Sequence, residues 1–185
     1  MEKKIKQQHT NGLKIVVLGP ESTGKTTLVK QLATHYNAVF VPEYSRIHAE
    51  AKQKKGEKLT AEDVLPIAKG QLRLECKASG NPLIFCDTDL LSTITFARIY
   101  YPEFKSETLK KYTEKNMADL YFLTYIDTPW KADGIRDLPH KREEAFFEFQ
   151  QTLKNYNQPH ILLKGSREER FQKAIVEIDK LLKAY

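Results

Sequence analysis

Five short apolar runs punctuate the chain, at 14–18, 38–41, 83–86, 120–126 and 160–163, most of them rich in β-branched or aromatic residues. Runs of that length and composition predict buried strands. Between them the apolar residues change period. Leu28, Leu32 and Tyr36 recur at helical spacing over 25–36, and Ala145, Phe146, Phe149 and Leu153 share one face over 141–155. Further helices are expected at about 60–79, 89–100 and 106–116. Thr60, with Asp63 three residues on, opens the first of these, and Pro66 should start or kink it. The cleanest pattern is the last, 167–183, where Ser166 and Glu169 make a capping box and Phe171, Ala174, Ile178 and Leu181 form one stripe. Strands alternating with helices from end to end predict a single α/β domain, its parallel sheet covered on both faces. The polar stretch 1–12 reads as a short tail ahead of a domain at 13–185.

Composition narrows this picture in three ways. No apolar stretch approaches the ~18 residues of a membrane span, and the N-terminus lacks the apolar core of a secretory signal. Cys76 and Cys86 form neither a disulfide framework nor metal-ligand spacing with a histidine, so a reducing cytoplasmic setting is expected. The net charge of +6 is spread along helices without a recognition motif, so no nucleic-acid partner is expected. Such an excess also suits an enzyme handling polyanionic nucleotides.

One junction carries specific chemistry. The first strand runs straight into GPESTGKT, in which Gly19, Gly24, Lys25 and Thr26 fit G-x-x-x-x-G-K-[ST] in the strand–loop–helix setting that motif requires. The glycines let consecutive N–H groups curl inward into an anion nest at a positive helix terminus. Lys25 is then placed to reach the β- and γ-phosphates of a nucleoside triphosphate, and the Thr26 hydroxyl to hold Mg²⁺.

Ligands of open α/β sheets sit at the carboxyl ends of the strands. The second strand is followed by PEYSR, the third by DTD, and the fourth by DTPWKADGIRDLPHKR. Asp87, closing an apolar strand, suits the second acidic element of a P-loop protein, and the alternative is a helix N-cap. The same two readings apply to Asp89. Glu43 could accept a proton from a substrate hydroxyl or pair with Arg46 on the surface. The stretch 127–142, with its prolines, ADG turn and basic residues, reads as a segment closing over phosphates, Arg136 neutralising charge on the transferred group. The alternative is an ordinary loop with a buried Trp130. No N-K-x-D guanine-reading element is present, which argues against a GTPase switch.

GPESTGKTTL, PEYSR, FCDTD and TPWKADGIR stand in the order and spacing seen in the ribosylnicotinamide kinase domain of NadR-type proteins. The chain resembles that domain over about residues 13–183. The resemblance implies a P-loop three-layer sandwich similar to nucleoside and nucleotide kinases, with a five-stranded parallel sheet in the order 2-3-1-4-5. It implies ATP-dependent phosphorylation of nicotinamide riboside to nicotinamide mononucleotide, with Mg²⁺. Gly19, Glu21, Ser22, Thr23, Gly24, Lys25, Thr26 and Thr27 would hold ATP and the metal, Asp87 sharing the metal. Glu43, Tyr44, Arg46, Asp87 and Asp89 would line the riboside side, and Trp130 and Arg136 would belong to the closing segment. Either Glu43 or Asp87 would orient or deprotonate the attacking hydroxyl. The adenylyltransferase and DNA-binding domains that can precede such kinases are not expected in this chain. Two other readings stay open: a kinase for another small molecule, and an ATPase switch acting through a protein partner. The riboside's base is a fixed cation, so aromatic faces and carboxylates are expected around it, with Tyr44 and Trp130 as the candidate rings.

Overall fold

The computed structural model describes residues 12–130 and 141–184. Five parallel strands form one sheet: β1 (Leu13–Leu18), β2 (Val39–Val41), β3 (Leu83–Asp87), β4 (Leu120–Thr124) and β5 (His160–Leu163), in the order β2-β3-β1-β4-β5. The helices are α1 (Lys25–His35), α2 (Tyr44–Gln53), α3 (Val64–Ala78), α4 (Leu90–Tyr100), α5 (Glu107–Glu114), α6 (Arg142–Asn155) and α7 (Arg167–Ala184). This is the strand order expected from the resemblance.

Alternation along β1 divides the core into layers. Leu13, Ile15 and Val17 face α1 and α7, packing with Leu28, Leu32, Ala174 and Ile178. Val16 and Leu18 face the other way and pack with Leu91, Phe149 and Leu153 from α4 and α6. Every residue of β1 is buried, as a central parallel strand requires. No described helix is long and apolar enough to cross a membrane.

Three elements differ from the sequence reading. Residues 44–53, to which the sequence pattern assigns no element, form the helix α2, none of whose residues is fully buried, so it carries no apolar stripe to announce it. The helix expected over 60–79 is split, a 3₁₀ turn at Ala61–Asp63 preceding α3. Its capping box is formed by Thr60 and Asp63. Pro66 sits in the first turn of α3, where its missing N–H leaves no helical bond unmade. The strand expected over 120–126 ends at Thr124.

Candidate functional site

β1, β3 and β4 lie side by side, so their carboxyl ends bring the P-loop, Asp87 and Thr124 together. Gly19 has φ of +139°, and a Cβ there would lie 2.5 Å from Thr124 Oγ1, so only glycine lets the loop leave β1 this close to β4. The loop is pinned from beneath. Thr23 Oγ1 donates to the Pro20 carbonyl (2.8 Å) and shares a 2.7 Å hydrogen bond with Thr124 Oγ1. Lys25, the first residue of α1, is largely buried and its Nζ donates to the Pro20 carbonyl at 2.8 Å, across the mouth of the loop.

A second support was not legible as function in the sequence. Arg170, on α7, is 4% exposed. Its Nη1 donates to the Thr23 carbonyl (2.7 Å), its Nε to the Gly165 carbonyl (3.0 Å), and its Nη2 pairs with the Asp127 carboxylate. Asp127 also accepts from the Gly165 N–H at 2.6 Å. One guanidinium therefore ties the P-loop to the ends of β4 and β5. The signal that could have found it is its phase: Arg170, Ala174 and Ile178 are four residues apart, so a cation stands on the buried stripe of α7.

Thr26 Oγ1 donates to Asp87 Oδ2 at 2.5 Å. Asp87 is 2% exposed, and its Oδ1 is buried with no hydrogen-bond partner. Burial and the nearby Glu43 carboxylate push its carboxyl up to about 6, against the pull of Lys25, the Thr26 hydrogen bond and Arg46. A buried carboxylate oxygen beside a hydroxyl, both hard oxygen donors, fits Mg²⁺, which binds through one or two protein oxygens with water and phosphate completing its shell. No group of three acidic, histidine or cysteine ligands that could hold a metal occurs among the described residues.

From the P-loop a continuous cleft of about 860 Å³ runs between α2, α3 and α4. Glu43 stands at the N-cap position of α2, its carboxylate accepting from Ser45 Oγ at 2.7 Å, and Glu43 and Arg46 both line the cleft. Its far wall is aromatic, with Phe96, Tyr100 and Tyr101, and includes Val64 and Ile67 of α3. Glu21, Ser22, Thr23, Gly24, Thr26 and Thr27 line the loop end.

Three expected site residues stand elsewhere. Asp89 is the N-cap of α4, its Oδ1 taking the Leu91 N–H (2.9 Å) and its Oδ2 the Tyr121 hydroxyl (2.9 Å), buried away from the cleft wall. Burial raises its carboxyl to about 6, partly offset by Lys14. The ring of Tyr44 packs against Gly70 of α3, where a Cβ would lie 2.0 Å from it. Trp130 stacks under the Arg142 guanidinium, 6.0 Å from ring centre to Cζ, and Arg142 donates to the Thr128 carbonyl at 2.8 Å. Neither Tyr44 nor Trp130 lines the cleft, whose aromatic residues come from α4 and its C-terminus instead. Arg136 lies outside the described residues.

The chain matches the AAA domain family over residues 14–170. It is 31% identical over 137 residues to the trifunctional NAD biosynthesis/regulator protein NadR of Salmonella typhimurium, and 32% identical over the same length to that of Escherichia coli. Each alignment covers 72% of this chain but 33% of the relative, so the chain spans about a third of the length of these curated relatives. Among solved structures, NadR in complex with NR superposes with a TM-score of 0.81 at 26% identity, over 91% of this chain and 51% of that one. Thymidylate kinase from Ehrlichia chaffeensis shares the fold, with a TM-score of 0.67 at 14% identity, over 91% of this chain and 98% of that one. With the family match, the strand order and the P-loop geometry in agreement, the chain belongs to the AAA domain family of P-loop proteins and is similar to part of NadR.

Proposed function

We propose that the protein transfers the γ-phosphoryl group of ATP to the 5′-hydroxyl of nicotinamide riboside, giving nicotinamide mononucleotide and ADP. The observation that carries this reading is a single cleft joining a complete P-loop to an aromatic-walled chamber. At about 860 Å³ it has room for two ligands placed end to end, phosphate to hydroxyl. Its likeness to NadR solved with NR supports the choice of acceptor.

The chain's own residues divide the work. The loop N–H groups cradle the phosphates, and Lys25, released from the Pro20 carbonyl, moves its charge onto the β- and γ-phosphates. Thr26 and Asp87 would hold Mg²⁺, which supplies charge neutralisation on the phosphates when bound. With Asp87 assigned to the metal and off the cleft lining, Glu43, which lines the cleft, orients the acceptor hydroxyl and takes its proton. Phe96, Tyr100 and Tyr101 offer ring faces to the cationic base, with Glu43 and Glu57 as carboxylates on the same cleft.

The test is a panel of acceptors with Mg–ATP: nicotinamide riboside, its reduced form, uridine, thymidine and thymidine monophosphate. The highest kcat/KM is expected for nicotinamide riboside. A clear preference for thymidine monophosphate would make the protein a nucleotide kinase, and ADP release without a phosphorylated acceptor would make it an ATPase.

A further inference from the structure

Glu43 is the N-cap of α2, none of whose residues is fully buried, so polar contacts add to partial packing in holding the helix; further along it, His48 and Lys52 bond Asp63 at 2.8 and 2.7 Å. The first N–H groups of a helix have no partner within it, and each needs one from elsewhere. At α2 that partner is Gln71, 2% exposed, whose Oε1 accepts from the Tyr44 N–H at 2.9 Å. The neighbouring Gly70 leaves the space that the Tyr44 ring fills. Two successive residues of α3 thus seat the residue that follows Glu43.

An amide can present either its oxygen or its nitrogen, and the wrong end would face the Tyr44 N–H with another donor. The orientation is set from behind. Gln71 Nε2 donates to Glu75 Oε1 (3.1 Å), and the other oxygen of Glu75 accepts from Lys14 Nζ (2.6 Å) and Asn116 Nδ2 (2.6 Å). Burial pulls the Lys14 ammonium down, but Glu75 and Asp89 outweigh it and hold the lysine charged, above its ordinary value. Glu75, an acceptor-only group beside that charge, takes only the nitrogen end of Gln71. We infer that Gln71 is a positioning residue for Glu43, its amide aligned by the buried Lys14–Glu75 pair so that its oxygen anchors the start of α2 beside the P-loop.

This inference rests on the catalytic reading of Glu43, and the experiment separates the two. Gln71→Met keeps the side-chain length and removes both hydrogen bonds. The Tyr44 amide, followed by hydrogen exchange without any substrate, should exchange about tenfold faster, the scale of one lost hydrogen bond. With whichever acceptor the wild type phosphorylates, kcat should fall about tenfold while the KM for ATP stays unchanged, as expected when only the acceptor side loosens. Gln71→Glu and Glu75→Gln should each lower kcat. The double swap restores the pattern, with Glu accepting from the Tyr44 N–H and from the new amide, and should recover kcat to within about threefold of wild type. Unchanged Tyr44 exchange in Gln71→Met overturns the inference whether or not any acceptor is phosphorylated. So does an unchanged kcat in that variant, or a folded double swap no faster than the single variants. If wild type phosphorylates no acceptor, the proposed function fails and the exchange measurement still decides this inference.

Discussion

Asp87 is held at a thermodynamic cost to the fold, and replacing it by asparagine should make the protein more stable. Its carboxyl is raised from an ordinary 3.8 to about 6 by burial and by Glu43. Each unit of such a rise corresponds to about 1.4 kcal/mol, so the ionised form destabilises the folded state by about 3 kcal/mol. Asparagine removes the charge and keeps an oxygen for the Thr26 hydroxyl. The sign follows from proton binding: between pH 3.8 and about 6 the folded state holds more protons than the unfolded state, so wild-type stability falls as pH rises through that window. Asp89, raised to about 6 as well, adds to the same slope in both proteins and cancels in the comparison. Urea unfolding of wild type and Asp87→Asn without nucleotide should show the variant about 2–3 kcal/mol more stable at pH 7.5. The gap should close toward pH 4. The same variant should lose phosphoryl transfer, because the charge that costs stability is the one that would hold Mg²⁺. A variant less stable than wild type at pH 7.5, or a gap independent of pH, would mean that the Asp87 charge does not cost the fold stability.

Lys25→Ala should abolish transfer at any ATP concentration while leaving circular dichroism unchanged, because the lysine's role at the moving phosphate is electrostatic; near-normal turnover would remove the P-loop from the chemistry. Arg170→Met should cost about 1–3 kcal/mol in urea unfolding, since it leaves the Thr23 carbonyl without its buried donor. It should also raise the KM for ATP, and a loss under 0.5 kcal/mol would mean that the P-loop does not lean on it. Tyr100→Leu should shrink the preference for charged over reduced nicotinamide riboside by a few-fold, the scale of one cation–π contact, as read from kcat/KM for both ribosides; an unchanged ratio would place the base elsewhere.

What the sequence made legible follows from how locally each feature is encoded. The P-loop is written in consecutive residues, and the Thr26–Asp87 contact follows once β1 and β3 are neighbours. The strands were readable because all five are short and mostly apolar, and three of them, β1, β3 and β4, are almost wholly buried. Helix α2 was not, because none of its residues is fully buried and polar contacts tie it down, the Tyr44 N–H to Gln71 and both His48 and Lys52 to Asp63. Asp89 looked like a site residue because it shares a strand end with Asp87, yet its side chain turns to the helix it caps and to Tyr121. Tyr44 and Trp130 were aromatic residues beside candidate carboxylates, but proximity along the chain does not say where a ring points. The rings that wall the cleft lie one to three turns into α4 and just beyond it, spaced as ordinary helix packing would space them.

The central claim is that a P-loop and an acceptor chamber in one cleft carry out a kinase reaction on nicotinamide riboside. Incubating the protein with Mg–ATP and nicotinamide riboside, then quantifying products by mass spectrometry, tests it directly. Nicotinamide mononucleotide and ADP should form one for one, with neither product appearing when Lys25→Ala replaces wild type. ADP formed without nicotinamide mononucleotide, or no turnover of ATP at all with the riboside present, would contradict it.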